Sequence, residues 1–161
     1  MRIATNSSKI DISKENKTAS LAKIFSTFLN KGDIVFLYGE IGTGKTTFVR
    51  YLINYLQLRS RKSISEVTSP TFNIMNEYQI KNLIINHFDL FRIEKTKDLQ
   101  NTGLFNDYKS KLTLVEWPEK IISKPRNRYE LFFKFNKNTN KRFIEIKKII
   151  FDLEIKEHPG E

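Results

Sequence analysis

The short apolar run Ile34-Val35-Phe36-Leu37-Tyr38 leads directly into Gly39-Glu40-Ile41-Gly42-Thr43-Gly44-Lys45-Thr46, which satisfies G-x-x-x-x-G-K-[ST] at every fixed position. The flanks give that pattern mechanical meaning. The run before it has the length and unbroken apolar character of a strand buried in a parallel sheet. After it, Phe48, Val49, Leu52, Ile53 and Leu56 recur at the spacing of one helix face. A strand, a glycine turn and a helix N-terminus in this order commit the chain to an α/β arrangement. The same order makes a phosphate cradle, because the glycines let backbone N–H groups wrap an anion and the helix dipole adds positive potential. Gly42, Thr43, Gly44, Lys45, Thr46 and Thr47 are therefore expected to hold a nucleoside triphosphate. Lys45 would reach the β/γ-phosphates and the Thr46 hydroxyl would bind Mg²⁺.

At 161 residues the chain is long enough for one domain with a normal core, expected over residues 1–156, with 157–161 a frayed tail. Cysteine is absent, which excludes disulfides, thiol chemistry and cysteine-built zinc sites. The first residues lack the apolar core of a signal peptide, and no apolar run approaches the ~20 residues of a membrane span. A soluble, cytoplasmic protein without membrane contact is expected. The formal charge of +10 is uneven, with ten basic residues between Lys120 and Lys148 opposed only by Glu130 and Glu145. Such a stretch is either a patch for RNA or an acidic protein, or a solvated face.

The rest of the chain reads as alternating strands and helices. Residues 9–13 predict a short strand. Leu21, Ala22, Ile24, Phe25, Phe28 and Leu29 predict a helical stripe that stops near Gly32. The helix after the glycine turn should end near Leu58, and 59–66 reads as a loop. Residues 73–80 and 83–89 predict a hairpin about Lys81-Asn82. Residues 93–109 are polar and helix-prone, interrupted at Gly103. A buried strand at 112–115 and a second strand pair at 129–136 and 142–151 follow. The expected fold is a single P-loop NTPase-like domain, a central parallel sheet extended by antiparallel strands with helices on both faces.

A triphosphate site needs an acidic partner for the metal, usually at the end of a buried strand. Leu112-Thr113-Leu114-Val115-Glu116 and Leu83-Ile84-Ile85-Asn86-His87-Phe88-Asp89 each end in a carboxylate. Parallel strands bring their carboxyl ends to one edge, so both acids can face the γ-phosphate, one on the metal and one orienting water. Glu116 as a surface acid, and Asp89 as a helix cap or a partner for Arg92, are the plainer alternatives. His87 alternates with Asp89 along the strand; a lone histidine is more often structural, and no catalytic part is assigned to it. The hydroxyls of Ser69-Pro70-Thr71-Phe72 fit either a γ-phosphate-sensing segment or a plain turn into the next strand. Trp117 either borders the site or covers the core edge.

In order and spacing, residues 39–47, Ser69-Pro70-Thr71-Phe72, His87-Phe88-Asp89-Leu90-Phe91-Arg92 and Val115-Glu116-Trp117-Pro118-Glu119 resemble the signature blocks of the TsaE family. The resemblance spans roughly residues 10 to 150. It implies a P-loop ATPase of bacterial tRNA threonylcarbamoyladenosine biosynthesis that works with TsaD and TsaB, TsaD placing the group on the adenosine beside the anticodon. It further implies that Thr46 and Glu116 hold Mg²⁺, that Asp89 contacts nucleotide or metal, and that Glu15 and Arg142 contact the nucleotide. Lys45, Asp89 and Glu116 are then the catalytic set, with ATP and Mg²⁺ as cofactors. Phe91 departs from the tyrosine common at that place. Contact with tRNA is expected to be indirect, direct contact remaining open for the basic last third.

A small nucleotide or metabolite kinase shares the glycine-rich motif, although no arginine-rich lid is readable here. A nucleotide-controlled docking switch with little turnover is a further alternative. Residues 69–72 and 117–120 are the expected docking surface.

Overall fold

The computed structural model describes residues 2–6 and 9–151. Its centre is an eight-stranded mixed sheet in the order β1-β8-β7-β3-β6-β5-β4, with β2 also paired to β8. The parallel heart consists of β3 (Ile34–Tyr38), β6 (Lys111–Glu116), β5 (Leu83–Asp89) and the start of β7 (Arg128–Asn136). Antiparallel strands extend both sides. On one side lie β8 (Lys141–Phe151), β1 (Arg2–Asn6) and β2 (Ile10–Asp11), and on the other β4 (Met75–Ile80).

Strand period 2 sorts the side chains onto two faces. On β3, Val35 and Leu37 join the cluster beneath α1 (Glu15–Ser26) and α2 (Lys45–Arg59), while Ile34 and Phe36 join the opposite cluster with Leu99 of α3 (Thr96–Gln100). The sheet is thus covered on both faces, which is why β3 reads as continuously apolar. Phe48, Val49, Leu52 and Ile53 of α2 are fully buried against the first face. Each contributes about 1.5–3 kcal/mol by leaving water.

Several expectations change. The helix-prone stretch 93–109 forms helix only over Thr96–Gln100. Beyond it Gly103, Phe105 and Asp107 adopt positive φ, and Leu104 and Phe105 pack on the second cluster through turns instead. Helix α1 ends at Ser26, and two residues of its apolar stripe, Ile24 and Phe28, face outward at 58% and 61% exposure. Residues 2–6 form an edge strand on β8 that sequence reading did not assign. The expected tail at 157–161 lies outside the described residues. Among those described, no helix is long and apolar enough to cross a membrane.

Candidate active site

The three central parallel strands end side by side. Leu37 of β3 pairs with Glu116 of β6, and Glu116 pairs with Asp89 of β5, so the glycine loop after β3 and both carboxylates share one sheet edge. The loop geometry depends on glycine. Gly39 lies at φ +148, where an added Cβ would sit 2.7 Å from the Phe133 carbonyl oxygen and 2.8 Å from Thr43 Oγ1. Gly44, at φ +107, caps α2 in the left-handed region, and Gly42 is at φ +78. Thr43 Oγ1 donates to the Glu40 carbonyl at 2.8 Å, bracing the turn. No acid stands in the first turn of α2, leaving the positive helix end uncompensated.

Lys45 is almost wholly buried. Its Nζ donates to the Gly39 carbonyl and, at 2.9 Å, to that of Glu40, and lies 4.7 Å from the centre of the Trp117 ring. Burial lowers its pKa below the ordinary lysine value, and the nearby Glu116 and Asp89 carboxylates act in the opposite direction. Thr46 Oγ1 lies 3.1 and 3.3 Å from the two carboxylate oxygens of Glu116. A hydroxyl and a carboxylate side by side, both hard oxygen donors, suit Mg²⁺. That ion is usually held by one or two protein carboxylates together with substrate phosphates and water, rather than by a protein cage. No cluster of three or more His, Cys, Asp or Glu side chains that could hold a metal occurs among the described residues.

Asp89 is engaged on both oxygens. Oδ2 accepts from Ser69 Oγ at 2.8 Å and Thr71 Oγ1 at 3.2 Å, while Oδ1 accepts from the Phe91 N–H at 3.0 Å. The segment 69–72 is a turn leading into β4, closed by the Ile74 N–H on the Pro70 carbonyl, and it is tied to the strand-end acid through both hydroxyls. Trp117 sits at φ +59 and packs its ring 4.9 Å from Phe91, bordering the site rather than only covering the core. Such a backbone conformation in a large residue is held by its surroundings.

Glu15, the loop from Gly42 to Thr47, Asp89, Glu116 and Arg142 line one cavity of about 600 Å³, which Ser69, Thr71, Phe91 and Trp117 also line, whereas Phe72 and His87 do not. Glu15 stands at its rim, bonded to Arg50 Nη2 at 2.9 Å and Tyr51 OH at 2.7 Å. Arg142 Nε donates to the Gly42 carbonyl at 3.3 Å and stacks on Phe135 at 4.7 Å. What sequence reading set aside is His87. It is fully buried, and its Nε2 lies 2.8 Å from Glu116 Oε1. Alternation with Asp89 was the available signal, but a contact to a neighbouring strand is invisible without the register.

The basic last third is divided rather than gathered. Lys124, Arg126, Arg128 and Lys148 line a second cavity of about 690 Å³, which also takes in Ile34 at the start of β3, the opposite end of the sheet. Lys134 pairs with Glu145 at 3.6 Å, and Arg142 belongs to the first cavity.

The family model for threonylcarbamoyl adenosine biosynthesis protein TsaE matches residues 12–144. The tRNA threonylcarbamoyladenosine biosynthesis protein TsaE of Rickettsia typhi is 34% identical over 146 residues, covering 88% of this chain and 96% of the relative. That of Rickettsia conorii is also 34% identical, over 68% of this chain and 61% of the relative's own length. The Borreliella burgdorferi protein of that name is 33% identical over 78% of this chain and 90% of its own. The crystal structure of Bacillus subtilis YdiB superposes with a TM-score of 0.64 at 22% identity, over 93% of this chain and 87% of that one, a likeness of fold.

Proposed function

The chain belongs to the TsaE family, and from that premise we propose that it binds ATP with Mg²⁺ in the first cavity and hydrolyses it in support of threonylcarbamoyladenosine formation on tRNA. One observation carries the chemistry: the loop lysine and threonine converge with two strand-end carboxylates at one sheet edge, Thr46 touching Glu116. On this reading Lys45 exchanges its two loop carbonyls for phosphate oxygens, and the first-turn N–H groups of α2 cradle the rest. Thr46 and Glu116 hold Mg²⁺, which when bound neutralises charge on the β- and γ-phosphates. Asp89, tied to Ser69 and Thr71, links the position of segment 69–72 to the γ-phosphate. Glu15 and Arg142 contact the nucleotide from the rim.

The partners are TsaD and TsaB, as the family resemblance implies, and the working compartment is the cytoplasm. Phe72, 81% exposed with the Arg92 guanidinium 4.1 Å from its ring centre, makes segment 69–72 a docking surface whose state follows the nucleotide. On this reading the partner complex modifies the adenosine beside the anticodon and this chain reaches tRNA indirectly, with direct contact by the basic last third left open. Phosphate release by the purified chain, measured alone and with TsaD and TsaB, tests the proposal. The expected result is slow release alone, accelerated by the partners, with no phosphorylated small molecule formed. ADP formation that requires a small-molecule acceptor, with the γ-phosphoryl transferred to that acceptor and no free phosphate released, would instead make the chain a kinase.

A further inference from the structure

We infer that His87 is a positioning residue for the metal site, its Nε2–H holding the Glu116 carboxylate in the orientation that Mg²⁺ binding needs. The inference rests on the Mg²⁺–nucleotide reading of the first cavity. Glu116 and His87 are 2% and 0% exposed and 2.8 Å apart, so their contact is shielded from water. A carboxylate oxygen only accepts, so the hydrogen lies on Nε2. The other ring nitrogen, Nδ1, is buried without a hydrogen-bond partner among the described residues. A proton there would be an unsatisfied buried donor, whereas a bare lone pair is the lesser cost. Both nitrogens thus place the bonding hydrogen on Nε2.

The arrangement matters because a buried carboxylate beside a threonine hydroxyl has more than one way to turn. Oε1 takes both the His87 bond at 2.8 Å and the Thr46 contact at 3.1 Å, while Oε2 lies 3.3 Å from the same hydroxyl. His87 anchors Oε1 and leaves Oε2 with the Thr46 hydroxyl as its one side-chain hydrogen-bond partner among the described residues. Its own place is set by strand register: it pairs with Leu114, two residues before Glu116 on the neighbouring strand. Groups of this kind, one bond removed from a metal, typically change metal affinity 10–100-fold when lost.

The test compares the full chain with His87→Phe, which removes the donor, and His87→Gln, whose amide can restore it. Calorimetry with a non-hydrolysable ATP analogue, with and without Mg²⁺, separates metal-dependent from metal-independent binding. His87→Phe should raise the Mg²⁺ concentration for half-maximal tightening by about 10–100-fold, leave metal-free affinity within about twofold, and be largely rescued by glutamine. An unchanged Mg²⁺ requirement, or equal losses with and without metal, would overturn the inference and leave His87 a core residue. A measurement on the wild-type protein covers the case in which phenylalanine does not fold. Nitrogen-15 spectra of the chain without added nucleotide, simple with two histidines, should show the His87 ring hydrogen on Nε2, and a ring with its hydrogen on Nδ1 alone would overturn the inference. A wild-type chain whose nucleotide affinity ignores Mg²⁺ would instead refute the proposed function, with the tautomer still reporting the His87–Glu116 bond.

Discussion

Replacing Lys45 with methionine removes the ammonium while keeping most of the stem. The side chain is buried, and its Nζ donates to the Gly39 and Glu40 carbonyls. Phosphate binding therefore exchanges partners rather than making bonds from nothing. A hydrogen bond involving a charged group contributes about 1.5–3 kcal/mol. Neutral carbonyls put the free protein at the low end of that range, and phosphate oxygens put the complex at the high end. Two exchanges then gain about 3 kcal/mol, or roughly a hundredfold in affinity. Stability should respond differently. The variant leaves two carbonyls without a donor but also releases a buried charge from its desolvation, so the effects offset to within about 1 kcal/mol, or ~2–4 °C in Tm. Calorimetric titration with ATP and a thermal melt measure both. Unchanged ATP affinity in a folded Lys45→Met protein would refute the phosphate assignment. A fall of more than ~10 °C in Tm would show that the lysine serves the fold.

Glu116→Gln keeps the volume and weakens metal binding, so hydrolysis should fall at least tenfold while metal-free nucleotide affinity stays within about threefold, by phosphate release and calorimetry. Gly39→Ala meets a backbone carbonyl at 2.7 Å, whereas Gly42→Ala meets no atom within 4 Å and bears only the φ strain. Denaturant melts should show about 2 kcal/mol or more lost at Gly39 and about 1 at Gly42. Burial lowers the Lys45 pKa below its ordinary 10.5, so the folded chain releases this proton before the unfolded one as pH rises. The stability linked to it is complete above 10.5 and lost as pH falls through the lowered value. ATP affinity should run the opposite way, declining on the alkaline side as the ammonium is lost, and Lys45→Met should flatten that slope.

The core of the fold and the site were legible because the signals were local. Strand β3, the glycine loop and the apolar face of α2 lie within residues 34–56, where period and turn chemistry are decided by near neighbours. The two carboxylates were legible for a related reason, since each ends an apolar run and parallel strands end together. Residues 2–6 were missed because their order depends on pairing with β8, more than a hundred positions away. The stretch 93–109 misled because helix propensity is a weak prior that tertiary packing overrode, Leu104 and Phe105 packing from turns. Ile24 and Phe28 fitted an apolar stripe, yet the helix ended at Ser26 and the packing of α1 on α2 buried only part of that face.

Most of the polar side chains lining the cavity are bonded to neighbouring groups. Lys45 is bonded to its own loop, Thr46 to Glu116, Glu116 to His87, and Asp89 to Ser69 and Thr71. A phosphate or metal entering this set must displace bonds that exist, so the free-energy gain on binding is a difference between two well-bonded states. On the proposed reading, a nucleotide that loosens Asp89 from Ser69 and Thr71 would free the loop that carries exposed Phe72. A partner that grips Phe72 in one loop position would shift the cavity toward one bonding pattern, and nucleotide would by reciprocity change partner affinity by the same factor. Pull-down of TsaD and TsaB by wild-type and Phe72→Ala chains, in ATP and in ADP, reads that coupling. The expected outcome is a nucleotide-dependent difference for the wild type that shrinks in Phe72→Ala, whose own ATP affinity stays unchanged. Equal capture in both nucleotides by the wild type would refute the coupling.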